Sequence, residues 1–168
     1  MQATRPHLIL MPVTRFDRER IADLFERMSR ESRYARFLHP KPRLSDEELD
    51  YFSDIDHRSH DALAAVDPQD GSFVGVARYA TLDDEGTVAD LAFEVADDWQ
   101  GRGVGTMLLE GLLPRAEANG IERCIALTLS DNAPARALLA RFGFRKVEAT
   151  HGVTELRLEL RAQLRVAA

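Results

Sequence analysis

A chain of 168 residues that is 45% hydrophobic and 30% charged has the size and composition of one ordinary globular domain. Its formal net charge of −6 argues against a general nucleic-acid binder, and no apolar run is long enough to span a bilayer. The single cysteine, Cys124, excludes an internal disulfide framework. With no signal-peptide cleavage pattern after residues 1–11, we expect a cytoplasmic protein.

The first third of the chain favours helices after one short strand. We predict a strand over 8–11 and helices over 14–28, 29–38 and 45–54. Thr14 with Asp17 resembles a helix cap, and Ser45 with Glu48 forms a capping box. Pro40 ends the second helix because proline cannot continue one.

The rest of the chain alternates between strands and helices. We predict strands over 62–66, 73–82, 88–96 and 124–129, helices over 103–119 and 132–143, and two last strands within 144–160. Pro114 should kink the longer helix, and Gly120 is placed to stop it. The sum is a mixed α/β (α+β) domain in which an antiparallel meander is followed by β-α-β-α-β and a last strand.

The strongest chemical signal is the stretch from Val95 to Thr106, where a strand ends, a glycine-rich turn follows and a helix opens. Glycines allow a ligand to approach the backbone closely. The free N–H groups and the dipole of the first helical turn favour an anion, which predicts a diphosphate site. Arg102 is placed to add a charge-assisted contact.

Two other phosphate-binding motifs fit this loop poorly. The spacing of Gly101, Gly103 and Gly105 departs from the dinucleotide fingerprint G-x-G-x-x-G. Three predicted strands also come before the strand that leads into the loop, whereas a dinucleotide-binding unit usually begins with its first strand. No Gly-Lys-Ser/Thr sequence follows, as a P-loop requires. A nicotinamide or ATP site is therefore disfavoured.

Two motifs together resemble the GNAT N-acetyltransferase superfamily. Gln100-x-x-Gly103-x-Gly105 is similar to its acyl-CoA pyrophosphate signature. Asn132-x-x-Ala135, with the block 138–144 after it, is similar to its second conserved element, at the expected distance. The resemblance covers about residues 5–160 and implies a central, mostly antiparallel sheet of about six to seven strands with helices on both faces, in a single domain over 1–168.

The stretches 29–37 and 44–49 resemble a narrower group, the GNAT domains of bacterial protein lysine acetyltransferases. The resemblance implies transfer of an acetyl group from acetyl-CoA to an amine, with CoA as product and no metal. The acceptor would be a protein lysine, such as one on an acyl-CoA synthetase, and the family allows a homodimer. Two alternatives stay open: a small amine (a polyamine, amino acid or antibiotic) as acceptor, or an acyl-CoA-binding regulatory module without turnover.

The resemblance also assigns residues to the cofactor. The loop backbone would hold the pyrophosphate, the strand before it would pair with the pantetheine arm where it splays from its neighbour, and the Asn132 segment would flank the arm. The assigned residues are Phe93, Glu94, Val95, Gln100, Gly101, Arg102, Gly103, Val104, Gly105, Thr106, Asn132, Ala135 and Arg136.

Strand alternation puts Asp90, Ala92 and Glu94 on one face of the strand over 88–96. The resemblance implies that Asp90 aligns with the glutamate that serves as the general base. The aspartate side chain is one methylene shorter than that glutamate. Glu94 is the second candidate base, although a bulge nearby would rotate it away. The alternative is that both carboxylates sit on a wet face of the sheet.

The family commonly places a tyrosine, the general acid for the thiolate, where this chain has Leu139. Water or another residue must then protonate the thiolate, which is a good leaving group because a thiol has a pKa of about 8.5.

Several other residues have weaker signals. Cys124 should be a buried small hydrophobe, the five histidines show no metal-ligand spacing, and Trp99 should pack under the loop. Arg30, Arg33 and Arg36 share roughly one helical face, which is either part of the substrate mouth or a solvated face.

Overall fold

The computed structural model describes residues 6–160, which form one seven-stranded sheet and five α-helices. The strands are β1 Ile9–Pro12, β2 His60–Val66, β3 Phe73–Thr81, β4 Val88–Val95, β5 Arg123–Leu129, β6 Arg145–Thr150 and β7 Val153–Glu159. The helices are α1 Arg18–Glu26, α2 Arg30–Phe37, α3 Asp46–Ser53, α4 Val104–Ala118 and α5 Ala133–Arg141. Within the described range, no helix is long and apolar enough to cross a membrane.

The strand order is β1-β2-β3-β4-β5-β7-β6, and every neighbouring pair is antiparallel except β4 and β5. The meander β1 to β4 is joined to the second part of the sheet by α4, which makes the crossover that a parallel pair needs. The predicted mostly antiparallel sheet of six to seven strands is confirmed.

Local capping explains where the helices start. Ser45 and Glu48 form a capping box at α3, and the Ser29 hydroxyl accepts from the backbone N–H of Ser32 at the start of α2. Thr14 and Asp17 form a second capping box, which opens a short 3₁₀ turn before α1. The predicted helices are confirmed to within a few residues, and α4 runs continuously through its internal proline.

Alternating side chains on the central strands supply two hydrophobic cores. Leu63, Val74 and Leu91 pack with α4 on one face of the sheet. Ala64 and Val76 pack with α1 and α3 on the other. Because both faces of β2 and β3 are covered, nearly all their residues are buried, and the predicted placement of helices on both faces is confirmed.

The sheet splits between β4 and β5. Pairing between them extends only from Val88–Asp90 to Arg123–Ile125. Beyond that point β4 continues to pair with β3, and β5 continues to pair with β7, so the two strands part towards their carboxyl ends. The gap leaves backbone groups of β4 and β5 facing each other without direct partners, which is costly unless a ligand or water pairs with them.

Candidate active site

A cavity of about 680 Å³ fills the split between β4 and β5. The glycine loop before α4, the start of α5 and helix α2 line it, and the Gln100 amide donates to the Ser32 hydroxyl of α2 at 3.2 Å. Among the residues assigned to the cofactor, those that line the cavity are Phe93, Glu94, Val95, Gln100, Gly101, Gly103, Val104, Gly105, Thr106, Asn132 and Ala135. Asp90, Arg102 and Arg136 lie outside this lining.

The glycine loop has the backbone shape of an anion site. Gly101 and Gly103 have φ angles of 73° and 84°, a region that favours glycine, and no atom lies within 4 Å of where their Cβ atoms would be. Gly103 is the N-cap of α4 and supplies no side chain to the first-turn N–H groups. The Gln100 amide donates to the carbonyl of Val95 at 3.0 Å, which ties the loop to the end of β4.

Trp99 and Arg102, which flank the start of the glycine loop, contact each other. Trp99 is half-buried and packs against both hydrophobic cores. The guanidinium of Arg102 lies over its ring, 5.0 Å from the centroid, and faces solvent rather than the cavity.

The start of α5 closes the opposite wall. The side-chain oxygen of Asn132 accepts from the backbone N–H of Ala135 at 3.3 Å and so caps the helix. Arg136 donates to the carbonyl of Ser130 at 2.8 Å, which fixes the turn between β5 and α5. Leu139, at the position where the family commonly has a tyrosine, is fully buried and apolar.

The part of the cavity lined by α2 contains an ion pair that the sequence did not indicate. Arg36 on α2 donates through Nε to Glu94 Oε2 at 2.6 Å, and both side chains are nearly buried. The pairing of β4 with β3 is unbroken through Glu94, so the bulge that would have rotated this side chain away is absent from β4. The three arginines of α2 do not act as one face, because Arg33 donates to backbone carbonyls, including Pro42, and Arg30 is exposed.

Asp90 lies on the same face of β4 as Glu94, nearer the point where β4 and β5 still pair. Burial raises the pKa of its carboxyl, and the positive charge of Arg36 partly opposes that rise. No residue in the range 6–160 forms a hydrogen bond or an ion pair with the Asp90 carboxyl. The carboxyl is thus half-buried rather than on a wet face of the sheet.

Sequence reasoning also missed Arg78, which lies fully inside the protein on β3 opposite Ala92. Its Nη1 donates to the carbonyl of Phe52 at 3.1 Å, while Nε and Nη2 have no hydrogen-bond partner among residues 6–160. Burial lowers its pKa to about 10, against the opposing attraction of Glu94. A charged residue within the apolar run 73–82 was the signal that could have found it.

Cys124 is fully buried, as predicted, and burial together with the charge of Asp90 raises the pKa of its thiol to about 12. A thiol with so high a pKa is not a nucleophile. Residues 6–160 contain no group of three or more metal-ligating side chains.

Comparisons with known proteins agree with this geometry. The acetyltransferase (GNAT) family model matches residues 21–144. An acetyltransferase of Pseudomonas aeruginosa is 33% identical over 140 residues, covering 82% of this chain and 75% of that protein. The acetyltransferase Pat of Mycolicibacterium smegmatis is 33% identical over 135 residues, which is 80% of this chain but only 40% of that protein.

The crystal structure of the GNAT domain of S. lividans PAT superposes with a TM-score of 0.84 and 32% identity, covering 90% of each chain. The chain therefore belongs to the GNAT acetyltransferase family and resembles the protein lysine acetyltransferase domains within it. Acetyl-CoA-dependent N-acetylation of amines is the activity of this family in general.

Proposed function

We propose that this protein transfers an acetyl group from acetyl-CoA to the side-chain amine of a protein lysine. The observation that carries the proposal is the split between β4 and β5, whose cavity is lined by an anion-binding loop. Asp90, a half-buried carboxyl without a hydrogen-bond partner among residues 6–160, lies at the last position of β4 that pairs with β5, where the two strands begin to part. A molecule with a diphosphate and a long arm fits this cavity, because the arm would pair with the strand edges that the split leaves open.

The residues that would hold acetyl-CoA are supplied by three elements. The backbone from Gly101 to Thr106 would bind the pyrophosphate. Arg102 and Arg136 lie outside the cavity lining, and we propose them only as nearby positive charges. The backbone of Phe93 to Val95 would pair with the arm, which Asn132 and Ala135 would meet from the other side. The cofactor supplies the acetyl group as a thioester; the chain supplies binding, orientation and proton transfer.

Asp90 is the proposed general base that takes the proton from the acceptor ammonium, directly or through one water. Its raised pKa favours this role because a base works best when its pKa approaches the working pH. Glu94 is the weaker candidate for the base, because its carboxylate already forms an ion pair with Arg36. With Leu139 in the wall, water is the proposed proton source for the thiolate, whose thiol has a pKa of about 8.5.

The acceptor class is tested by following thiol release from acetyl-CoA with three kinds of amine. We expect release with lysine-containing protein, such as an acyl-CoA synthetase, and little with polyamines or free amino acids. Release with small amines alone would make the protein a small-molecule acetyltransferase. Tight CoA binding without release for any acceptor would overturn the enzyme function in favour of a regulatory module.

The base assignment is tested by Asp90→Ala and the isosteric Asp90→Asn. We expect turnover to fall by roughly 10² in both, with acetyl-CoA affinity nearly unchanged, because the residue acts on the acceptor's proton. Asp84→Ala, in the exposed turn between β3 and β4, is the matched control and should turn over normally. Normal turnover of the Asp90 variants across pH would remove Asp90 from this role.

A further inference from the structure

We propose that Glu94 is a positioning residue rather than a second base: its carboxylate pairs with Arg36 and so leaves Asp90, on the same face of β4, as the carboxylate without an ion-pair partner among residues 6–160. The inference rests on the proposed function and assigns to the Arg36–Glu94 pair a part in the same site.

The geometry of the pair supports this division of roles. The Nε–Oε2 distance of 2.6 Å joins α2 to β4, and the Arg36 and Glu94 side chains are 13% and 11% exposed. A charge-assisted bond this short and this shielded restricts the movement of both side chains. The Arg36 guanidinium also lies 4.9 Å from the ring centroid of Phe37, which restricts its movement further. Glu94 is therefore held by Arg36, and its charge also attracts the buried Arg78.

Asp90 is placed differently, although it shares a face of β4 with Glu94. The charged and titratable groups on the surrounding elements are Arg36 from α2, Arg78 from β3, His60 from β2 and Cys124 from β5. Cys124 is a neutral thiol and burial keeps His60 neutral, with a pKa of about 4. Arg36 is the positive charge that acts on Asp90.

The consequence is a dependence of Asp90 on a residue that it does not touch. Without the Glu94 carboxylate, the full charge of Arg36 would act on Asp90, favour its ionised form and weaken it as a base. Without Arg36, the attraction that opposes protonation of Asp90 would vanish, and its titration would move upward. Opposite effects of the two substitutions distinguish this role from a merely structural one, which would impair the site in both cases.

The test measures the titration midpoint of Asp90 by ¹³C NMR of aspartate carboxyl groups, with Asp90→Asn to assign the signal. We expect a downward shift in Glu94→Gln, an upward shift in Arg36→Gln, and a return towards the unaltered midpoint in the double variant. Arg36→Lys keeps the charge and should shift the midpoint less than Arg36→Gln does. Glu159→Gln is the matched control, because Glu159 on β7 forms an exposed ion pair with Arg123 on β5. This variant should leave the midpoint and the activity unchanged.

The midpoint of the acid limb in the pH profile of kcat/KM should likewise move down in Glu94→Gln and up in Arg36→Gln. Shifts of equal sign in the two single variants, or no shift in Glu94→Gln, would overturn the inference. The NMR measurement needs no turnover, so absence of acetyl transfer would remove the proposed function while the electrostatic link could still be read. Circular dichroism and CoA binding identify any variant that fails to fold. If one single variant does not fold, the direction of the midpoint shift in the other single variant tests the inference.

Discussion

Asp61 holds a negative charge at a position with no solvent exposure, at the start of β2. Arg115 from α4 donates to both of its oxygens, at 2.7 and 3.1 Å, and His57 contributes a third contact at 2.9 Å. Burial acts to raise the pKa of Asp61, but these hydrogen bonds outweigh it and hold the pKa below the ordinary value. The pair fixes the long helix α4 to the start of β2.

We expect Arg115→Met to destabilise the protein by about 3 kcal/mol at pH 7, because it leaves a buried carboxylate without its main partner. The stabilisation due to the lowered pKa of Asp61 is complete above the ordinary aspartate pKa of about 3.9, and is lost as the pH falls through the lower folded value. Urea unfolding across this pH range should show the variant and the unaltered protein converging in acid. Arg123→Met, in an exposed pair, is the control, and an equal loss there would contradict the argument.

The packing of α4 on β3 depends on a residue without a side chain. A Cβ at Gly75 would lie 2.9 Å from the carbonyl oxygen of Glu94 and within 3.2 Å of Leu108 and Val104. Gly105 is close to α5 in a different way, because its nearest neighbour is the flexible end of Leu138, at 2.7 Å. The first contact is with backbone and cannot yield cheaply, whereas the second can rotate.

Gly75→Ala should therefore lower the free energy of unfolding by about 1–3 kcal/mol and weaken CoA binding, since β4 must move at Glu94. Gly105→Ala should change stability less, because alanine gains up to about 1 kcal/mol in a helix and offsets the repacking of Leu138. Thermal unfolding and CoA titration of both variants measure the difference. A larger stability loss in Gly105→Ala would show that the α4–α5 contact, and not the α4–β3 contact, limits the packing.

The whole molecule consists of two sheet parts that meet along a short seam. The meander β1 to β4 and the unit β5 to β7 are joined by pairing over three residues of each strand and by α4. Low pairing at the seam predicts that the open ends of β4 and β5 exchange their amide hydrogens faster than the strands' paired ends.

CoA binding should stabilise the molecule across this seam. At a concentration 100-fold above its Kd, a ligand specific for the folded state adds about 2.7 kcal/mol. Hydrogen exchange should slow in residues 91–95 of β4 and around Asn132 when CoA is added, with little change in β1 or β6. Protection spread evenly over the chain would mean that CoA does not bind in the split.

Much of this protein could be predicted from the sequence alone, because the signals are local. The capping box of Ser45 and Glu48 set the start of α3, and alternation placed Asp90 and Glu94 on one face of β4. The glycine loop was placed correctly between a strand and a helix because glycine and the helix terminus act over a few residues.

Only the tertiary structure decided how those parts meet. The ion pair between Arg36 and Glu94 joins residues 58 positions apart, and the burial of Arg78 depends on helix α3 covering its strand. The cavity exists because β4 and β5 part beyond Asp90, a consequence of how two sheet parts pack and not of either strand's own pattern. The loop from Gln100 to Gly105 and the block after Asn132 thus indicated the family from local sequence, while long-range packing determined that Arg36 pairs with Glu94.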